Sequence, residues 1–229
     1  MTVAAIVQAR TSSTRLSNKV LRRVNAKPLV GYVLERLERA RSIDVVVVAT
    51  SDDASDDALA SFCEAARVDC HRGSLNDVAG RILGAARSRD ADVFVRIGAD
   101  SPLLDQTLVD RAVALLQQTG CDLATNVYPT RTFPHGQSVE AVRTTAFERA
   151  RAFATEAADL EHVTPVFYRR AGDFAISSFA HDPDLGHLQL AVDTESDLAA
   201  FSDIVAAMER PHWEYGLDEV LELHRVCVA

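Results

Sequence analysis

Residues Ala5–Leu21, AIVQARTSSTRLSNKVL, decide the reading of this chain. Val3, Ala4, Ala5, Ile6 and Val7 form an apolar run of the kind found in a strand buried on both faces. The chain then breaks into a loop with three fixed positive charges, Arg10, Arg15 and Lys19, among the hydroxyl residues Thr11, Ser12, Ser13 and Thr14. A strand that opens into a cationic, hydroxyl-rich loop is a place to hold a polyphosphate. N–H groups and hydroxyls donate to phosphate oxygens, and Arg forks onto two of them. Charges at the carboxyl end of a first strand lie where open α/β sheets take their ligands. An ordinary surface connection is the alternative, and the positive charge of this loop in an acidic protein speaks against it.

The 229 residues carry 24 Lys and Arg against 33 Asp and Glu, a net charge of −9. That balance disfavours a broad nucleic-acid surface, which needs a basic face, and leaves room for a small phosphorylated ligand in a local positive pocket. No apolar run reaches the ~18 residues of a membrane span, and no charged leader precedes the first apolar stretch, so neither a span nor a signal peptide is expected. Cys63, Cys70, Cys121 and Cys227 show no CxxC pairing or metal-finger spacing. Reduced thiols in a cytoplasmic protein are the expectation.

Outward from the loop, strand and helix patterns alternate. Leu29, Val33, Leu34, Leu37 and Ala40 recur at helical spacing after Pro28, a residue that often opens a helix. Ile43–Thr50, IDVVVVAT, reads as a central parallel strand, followed by a helix near Asp56–Arg67 and a short strand near Val68–Arg72. Ser74 precedes a helix with Val78, Ile82, Leu83 and Ala86. Asp92–Gly98 is a strand, Leu104–Leu116 a helix stopped by Gly120, and Cys121–Asn126 the next strand. Such alternation implies right-handed parallel crossovers, and so an α/β fold: a Rossmann-like, mostly parallel sheet flanked by helices. The second half changes character. After the proline-containing connection from Asn126 to Gly136, Ser138–Arg143, Phe174–Phe179 and Leu188–Val192 read as strands. Helices are expected through Ala146–Phe153 and around Leu160–Arg169, Glu195–Met208 and Leu217–Arg225. One domain over 1–229, with an inserted strand-and-helix arm near 127–180, is the simplest account.

Several chemistries are excluded by what is missing. There is no P-loop signature, no dinucleotide-binding glycine pattern after the first strand, and no nucleophile elbow. What remains are two aspartates at strand ends: Asp100 after DVFVRIGA and Asp193 after HLQLAV. If their strands adjoin, both face the cationic loop. Mg²⁺ takes one or two protein carboxylates and completes its shell with water and phosphate oxygens, so a dication between them and a nucleotide is one reading. Helix capping is the other: Asp193-Thr194 precedes the helix from Glu195. Arg72, Arg81 and Arg96 fall in or beside the same crevice on this topology, Arg81 equally as a solvated helix charge. His135 and His162 carry no specific signal.

Taken together and in order, IVQARTSSTRLSNKVL, VVVVATSDDASDD, HRGSLNDVAGR, VRIGADSPLLD, EHVTPVFY and LAVDTESDL resemble the cytidylyltransferase-like nucleotidyltransferases of the spore-coat polysaccharide SpsF type. These are relatives of the acylneuraminate and 3-deoxy-manno-octulosonate cytidylyltransferases. The resemblance implies transfer of CMP from CTP to an acidic sugar, with release of pyrophosphate. It implies that Ala9, Arg10, Ser13, Arg15 and Lys19 belong to the triphosphate loop and that Asp100 and Asp193 hold Mg²⁺. Thr50, Ser51, Asp52, Arg72 and Arg96 would line the base and ribose side. A homodimer is expected through the arm, where Val127, Phe133, Val139, Phe167 and Tyr168 look exposed.

The sequence also departs from that pattern. Ser17-Asn18 stand where the family has Pro-Gly, Ser101 where it often has Cys, Ser138 where it has an acidic residue, and Leu160 where it has Arg. Two alternatives follow from these departures. One is a sugar-phosphate or phosphonate acceptor met by Arg131 and Arg143; the other is a nucleotide-binding protein of this fold without turnover.

Overall fold

The computed structural model describes residues 1–12, 15–154 and 163–227. Its centre is a seven-stranded sheet. The strands are β1 (Val3–Gln8), β4 (Val45–Ser51), β5 (Asp69–Gly73), β6 (Val93–Gly98), β7 (Leu123–Thr125), β8 (Glu140–Arg143) and β9 (Ile176–Ser178). They stand in the order β5-β4-β1-β6-β8-β7-β9. β1 pairs in parallel with β4 on one side and β6 on the other. The chain winds from β1 outward to β4 and β5, then crosses back to β6. The strand order therefore reverses between β1 and β6, and the crevice at their carboxyl ends is the switch point where such sheets bind ligands.

Alternation along β1 builds two cores. Val3, Ala5 and Val7 face one layer with α1 (Leu29–Leu37), α4 (Gln106–Thr119), α7 (Glu195–Ala206) and α8 (Leu217–Cys227). Ala4 and Ile6 face the other, with α3 (Val78–Arg87), α5 (Thr144–Arg151) and α6 (Pro165–Arg169). Burial on both faces is why these strands read as continuous apolar runs. Helix α2 (Asp57–Ala66) packs Leu59 and Cys63 into the first layer. Among the described residues no helix is long and apolar enough to cross a membrane.

The second half departs from the simple alternation. β7 does not adjoin β6; β8 lies between them, antiparallel to both. The arm thus contributes two strands, β8 and β9, to the central sheet. The strand expected over Leu188–Val192 is a single bridge between Gln189 and His135. Its backbone bonds are divided between two partners: His135 exchanges bonds with Leu188 and Leu190, and Val192 donates to the Asp100 carbonyl, so no ladder extends. Of the helix expected around Leu160–Arg169, Pro165–Arg169 is helical with Thr164 at its N-cap, and 160–162 lie outside the described residues. A hairpin that the sequence reading lacks, β2 (Arg23–Val24) with β3 (Lys27–Pro28), turns on Asn25 and Ala26 at φ 47° and 63°. Ala at positive φ carries no turn signal in sequence. Of the five residues expected to look exposed on the arm, Phe133, Val139 and Phe167 are buried in the chain's own cores, and Val127 and Tyr168 are half-buried.

One carboxylate ties the loop after β1 to the end of β4. The fully buried Asp56 accepts through Oδ1 from the Thr11 N–H and hydroxyl, both at 2.7 Å. Through Oδ2 it accepts from the Ser51 N–H at 3.0 Å and hydroxyl at 2.5 Å. Burial alone would raise its pKa; the donors from Ser51 and Thr11 outweigh burial and hold it below the usual carboxylate value. A depressed folded-state pKa gives stability that is complete above about pH 4 and lost as pH falls through the folded value. Asp56→Asn should therefore melt well below wild type at pH 7, by about 2 kcal/mol, and the gap should close in acid. Thermal melts of both proteins from pH 7 down to pH 3 test this; a gap independent of pH contradicts it.

Candidate active site

The loop, β6 and the segment before α7 meet at the switch point. Asn18, at φ 52°, turns the chain into a short 3-10 turn, Lys19–Leu21. The Asn18 N–H returns to the Thr11 carbonyl, closing the loop. Val20 enters the core and the Lys19 side chain is left pointing inward, 10% exposed. Its ammonium donates to Asp100 Oδ2 at 2.9 Å and to Asp193 Oδ1 at 2.8 Å. Arg15 Nη2 lies 3.0 Å from the same Asp193 oxygen.

Backbone geometry brings the two aspartates together. The Val192 N–H donates to the Asp100 carbonyl at 2.8 Å, which fixes Asp193 beside Asp100 although 93 residues separate them in sequence. Gly136, at φ 94°, lets the arm press on this segment: a Cβ there would stand 2.6 Å from the Ala191 nitrogen. Capping does not consume Asp193. Thr194 caps α7, in a reciprocal capping box with Asp197. Asp105 caps α4, accepting from the Thr107 N–H. Asp100 and Asp193 therefore remain available to the crevice.

Charge in the cluster is mutually reinforced. Burial opposes the Lys19 ammonium, but Asp100 and Asp193 outweigh it and raise its pKa. Burial would likewise raise Asp193, yet Lys19 and Arg15 hold it below the usual carboxylate range. Beside them opens a cavity of about 260 Å³ lined by Gln8, Arg10, Ser12, Arg15, Lys19, Val20, Ala99, Asp100 and Asp193. Three cationic side chains and the Ser12 hydroxyl gathered with paired carboxylates suit a polyphosphate carrying a divalent cation. Among the described residues no cluster of three or more His, Cys, Asp or Glu side chains is assembled, so a metal here would take this carboxylate pair plus ligand oxygens.

A family model described as Cytidylyltransferase matches residues 4–209. The chain belongs to that family. Across nearly its whole length it resembles a solved cytidylyltransferase from Leptospira borgpetersenii, at a TM-score of 0.91 and 27% identity, covering 99% of this chain and 94% of that one. An uncharacterised protein of Methanocaldococcus jannaschii is 32% identical over 206 residues, 89% of this chain and 83% of the relative. The 3-deoxy-manno-octulosonate cytidylyltransferase of Geobacter metallireducens is 34% identical over 116 residues, which span 51% of this chain and 45% of that protein. The match to that relative thus covers about half of either chain. Members of the family are nucleotidyltransferases, and the crevice described above is where this cytidylyltransferase has the means to hold a nucleotide.

The site residues expected from sequence divide into two groups. Arg10, Arg15, Lys19, Asp100 and Asp193 share the cavity. The base-side group does not line it. Thr50 and Ser51 are fully buried, and both Ser51 donors are committed to Asp56. Asp52 is exposed at the β4 end. Arg72 is held by the Ser51 and Asp53 carbonyls and by Asp57 at 2.8 Å, so it braces the β4–α2 turn. Ala9 is buried, with its N–H on the Ala49 carbonyl. Arg96 donates to Gln8 Oε1 at 3.0 Å and to the buried Glu140 at 2.9 Å. Ser13 and His162 lie outside the described residues, and His135 is an exposed loop residue.

Three arginines and a glutamine also stand apart from the sequence expectation or beyond it. Arg81 is no solvated helix charge: it is 2% exposed, with Nη1 on the Ser74 carbonyl and, among the described residues, no partner for Nε or Nη2. Arg143 pairs opposite Val93 at the amino end of β6, far from Asp100, and holds the Cys121 carbonyl, so it serves no acceptor pocket. Arg131 donates to the Ser138 hydroxyl. Gln8 went unnoticed because a polar residue closing an apolar strand has many uses. Here it begins a chain from the cavity through Arg96 and Glu140 to the Tyr168 hydroxyl, 2.5 Å from Glu140.

Gly98 gives a sharp test of the aspartate geometry, because a Cβ there would lie 2.5 Å from Asp100 Oδ1. Gly98→Ala should swing that carboxylate away. Turnover should fall by about tenfold or more, with a melting temperature within a few degrees of wild type. Unchanged turnover would show that the Asp100 position is not critical.

Proposed function

We propose that this cytidylyltransferase moves a CMP group from CTP to a hydroxyl of an acidic sugar, with release of pyrophosphate and with Mg²⁺ as cofactor. The observation that carries the reading is the convergence of Lys19 and Arg15 with Asp100 and Asp193 in one cavity at the switch point. The partial match to a 3-deoxy-manno-octulosonate cytidylyltransferase supports an acidic sugar as acceptor.

In this reaction an acceptor oxygen bonds to the α-phosphorus and the bond from that phosphorus to the bridging oxygen of pyrophosphate breaks. The hydroxyl proton is released. Arg10, Arg15 and Lys19 hold the triphosphate and offset the charge that grows on departing pyrophosphate. Asp100 and Asp193 would hold Mg²⁺, whose contribution when bound is to polarise the α-phosphate. Positioning and charge stabilisation account for the acceleration, and no covalent nucleophile is required. The product, a sugar on a CMP leaving group, is the kind of donor that polysaccharide-building transferases consume.

Incubation with each nucleoside triphosphate, Mg²⁺ and a panel of acidic sugars, sugar phosphates and phosphonates should release pyrophosphate only with CTP and an acidic sugar. Asp100→Asn and Asp193→Asn should each lower that release by about 100-fold or more, with little loss of stability. Release with a phosphorylated acceptor alone would replace the acceptor class. Tight CTP binding without release for every acceptor would replace the enzyme reading altogether.

A further inference from the structure

Lys19 lies where the proposed dication would have to lie. Its Nζ bridges one oxygen of each aspartate, at 2.9 and 2.8 Å, with the side chain 10% exposed. Mg²⁺ bonds carboxylate oxygens at about 2.0–2.1 Å, so an ammonium and a dication cannot share this pair of oxygens. We propose that Lys19 is a resident counter-cation that holds the metal position in the nucleotide-free enzyme, so that Asp100 and Asp193 become available to a metal only when a triphosphate draws Lys19 away. This rests on the reading of the two aspartates as the metal-binding pair.

Three features of the site support the exchange. First, its charge is balanced: Asp100 and Asp193 face Lys19 and Arg15, so the free crevice has little net negative charge with which to recruit a dication. Removing Lys19 would take from the two neighbouring carboxylates the ammonium that bridges them and leave Asp193 paired with the largely exposed Arg15, a state that a dication relieves. Second, only the side chain has to move. The backbone at Lys19 is fixed by the buried Val20 and by the Arg22 N–H on the Lys19 carbonyl. A lysine stem is flexible, and an ammonium is a point charge with rotatable donors that re-pairs without a set geometry. Third, a second anionic partner fits within reach. The cavity that Lys19 lines also presents Arg10, Ser12 and Arg15, so a triphosphate bound there lies beside the ammonium. Metal and nucleotide affinities are then coupled, each raising the other by the same factor. The enzyme would take up the metal with the nucleotide rather than before it.

The test uses Mn²⁺ as the probe, followed by electron paramagnetic resonance of the free ion, on the full chain without acceptor. Wild type should bind Mn²⁺ weakly alone and about tenfold or more tightly with CTP. Lys19→Met, whose apolar stem keeps the buried packing, should bind Mn²⁺ alone about tenfold or more tightly than wild type. Adding Asp193→Asn to that variant should abolish the gain, which locates the ion at the aspartate pair. A melting curve near that of wild type confirms folding, and Lys19→Gln serves if the Met variant does not fold. The proposal is overturned if these variants bind Mn²⁺ no more tightly than wild type while CTP still brings Asp193-dependent Mn²⁺ binding to wild type. If Mn²⁺ never binds in an Asp193-dependent way, the metal reading of the site falls and this proposal with it. Failure of CMP transfer leaves the Mn²⁺ result standing, since no acceptor or turnover enters it.

Discussion

The whole arrangement depends on two carboxylates being held side by side against their mutual repulsion. Asp100 and Asp193 arrive from opposite halves of the chain, and one backbone hydrogen bond, from Val192 to the Asp100 carbonyl, sets them together. Lys19 and Arg15 make that proximity tolerable. Other features act to deliver these four side chains. The parallel pairing of β1 with β6 brings loop and turn to one end, and Gly136 lets the arm press the Asp193 segment inward. Thr194 takes over helix capping so that Asp193 need not.

A second constraint holds the loop itself. Asp56 supplies the anchor from outside, gripping Thr11 on one oxygen and Ser51 on the other, beyond the cavity wall. The stretch bearing Ser12 and Arg15 lies between that anchor and the 3-10 turn at Lys19. Arg15, largely exposed, thus stands between two fixed ends.

Sequence reading grouped the side chains that line the cavity better than it placed their supports. Arg10, Arg15, Lys19, Asp100 and Asp193 were legible because ionisable residues next to strand ends in an α/β pattern have one common destination. Thr50, Ser51 and Arg72 were placed on the ligand side from resemblance, yet Ser51 is committed to Asp56, Arg72 braces the β4–α2 turn, and the Thr50 hydroxyl is buried with no partner among the described residues. Asp56 also holds Thr11, 45 residues away, and a partner at that separation leaves no trace in local spacing. Arg81 and Arg143 were misplaced for a related reason: an arginine's charge does not reveal whether its guanidinium meets water, a carbonyl or the core.

By itself the sequence determined the layered α/β plan and the position of the switch point, because strands buried on both faces must be apolar throughout and the helices between them must be amphipathic. It also determined that a cationic loop follows the first strand. Only the tertiary structure decided that β8 separates β6 from β7, that Asp193 joins Asp100, and that Lys19 stands between them. Those outcomes rest on long-range pairing, in which the energy lies in contacts between segments, and no single segment carries the record of its partner.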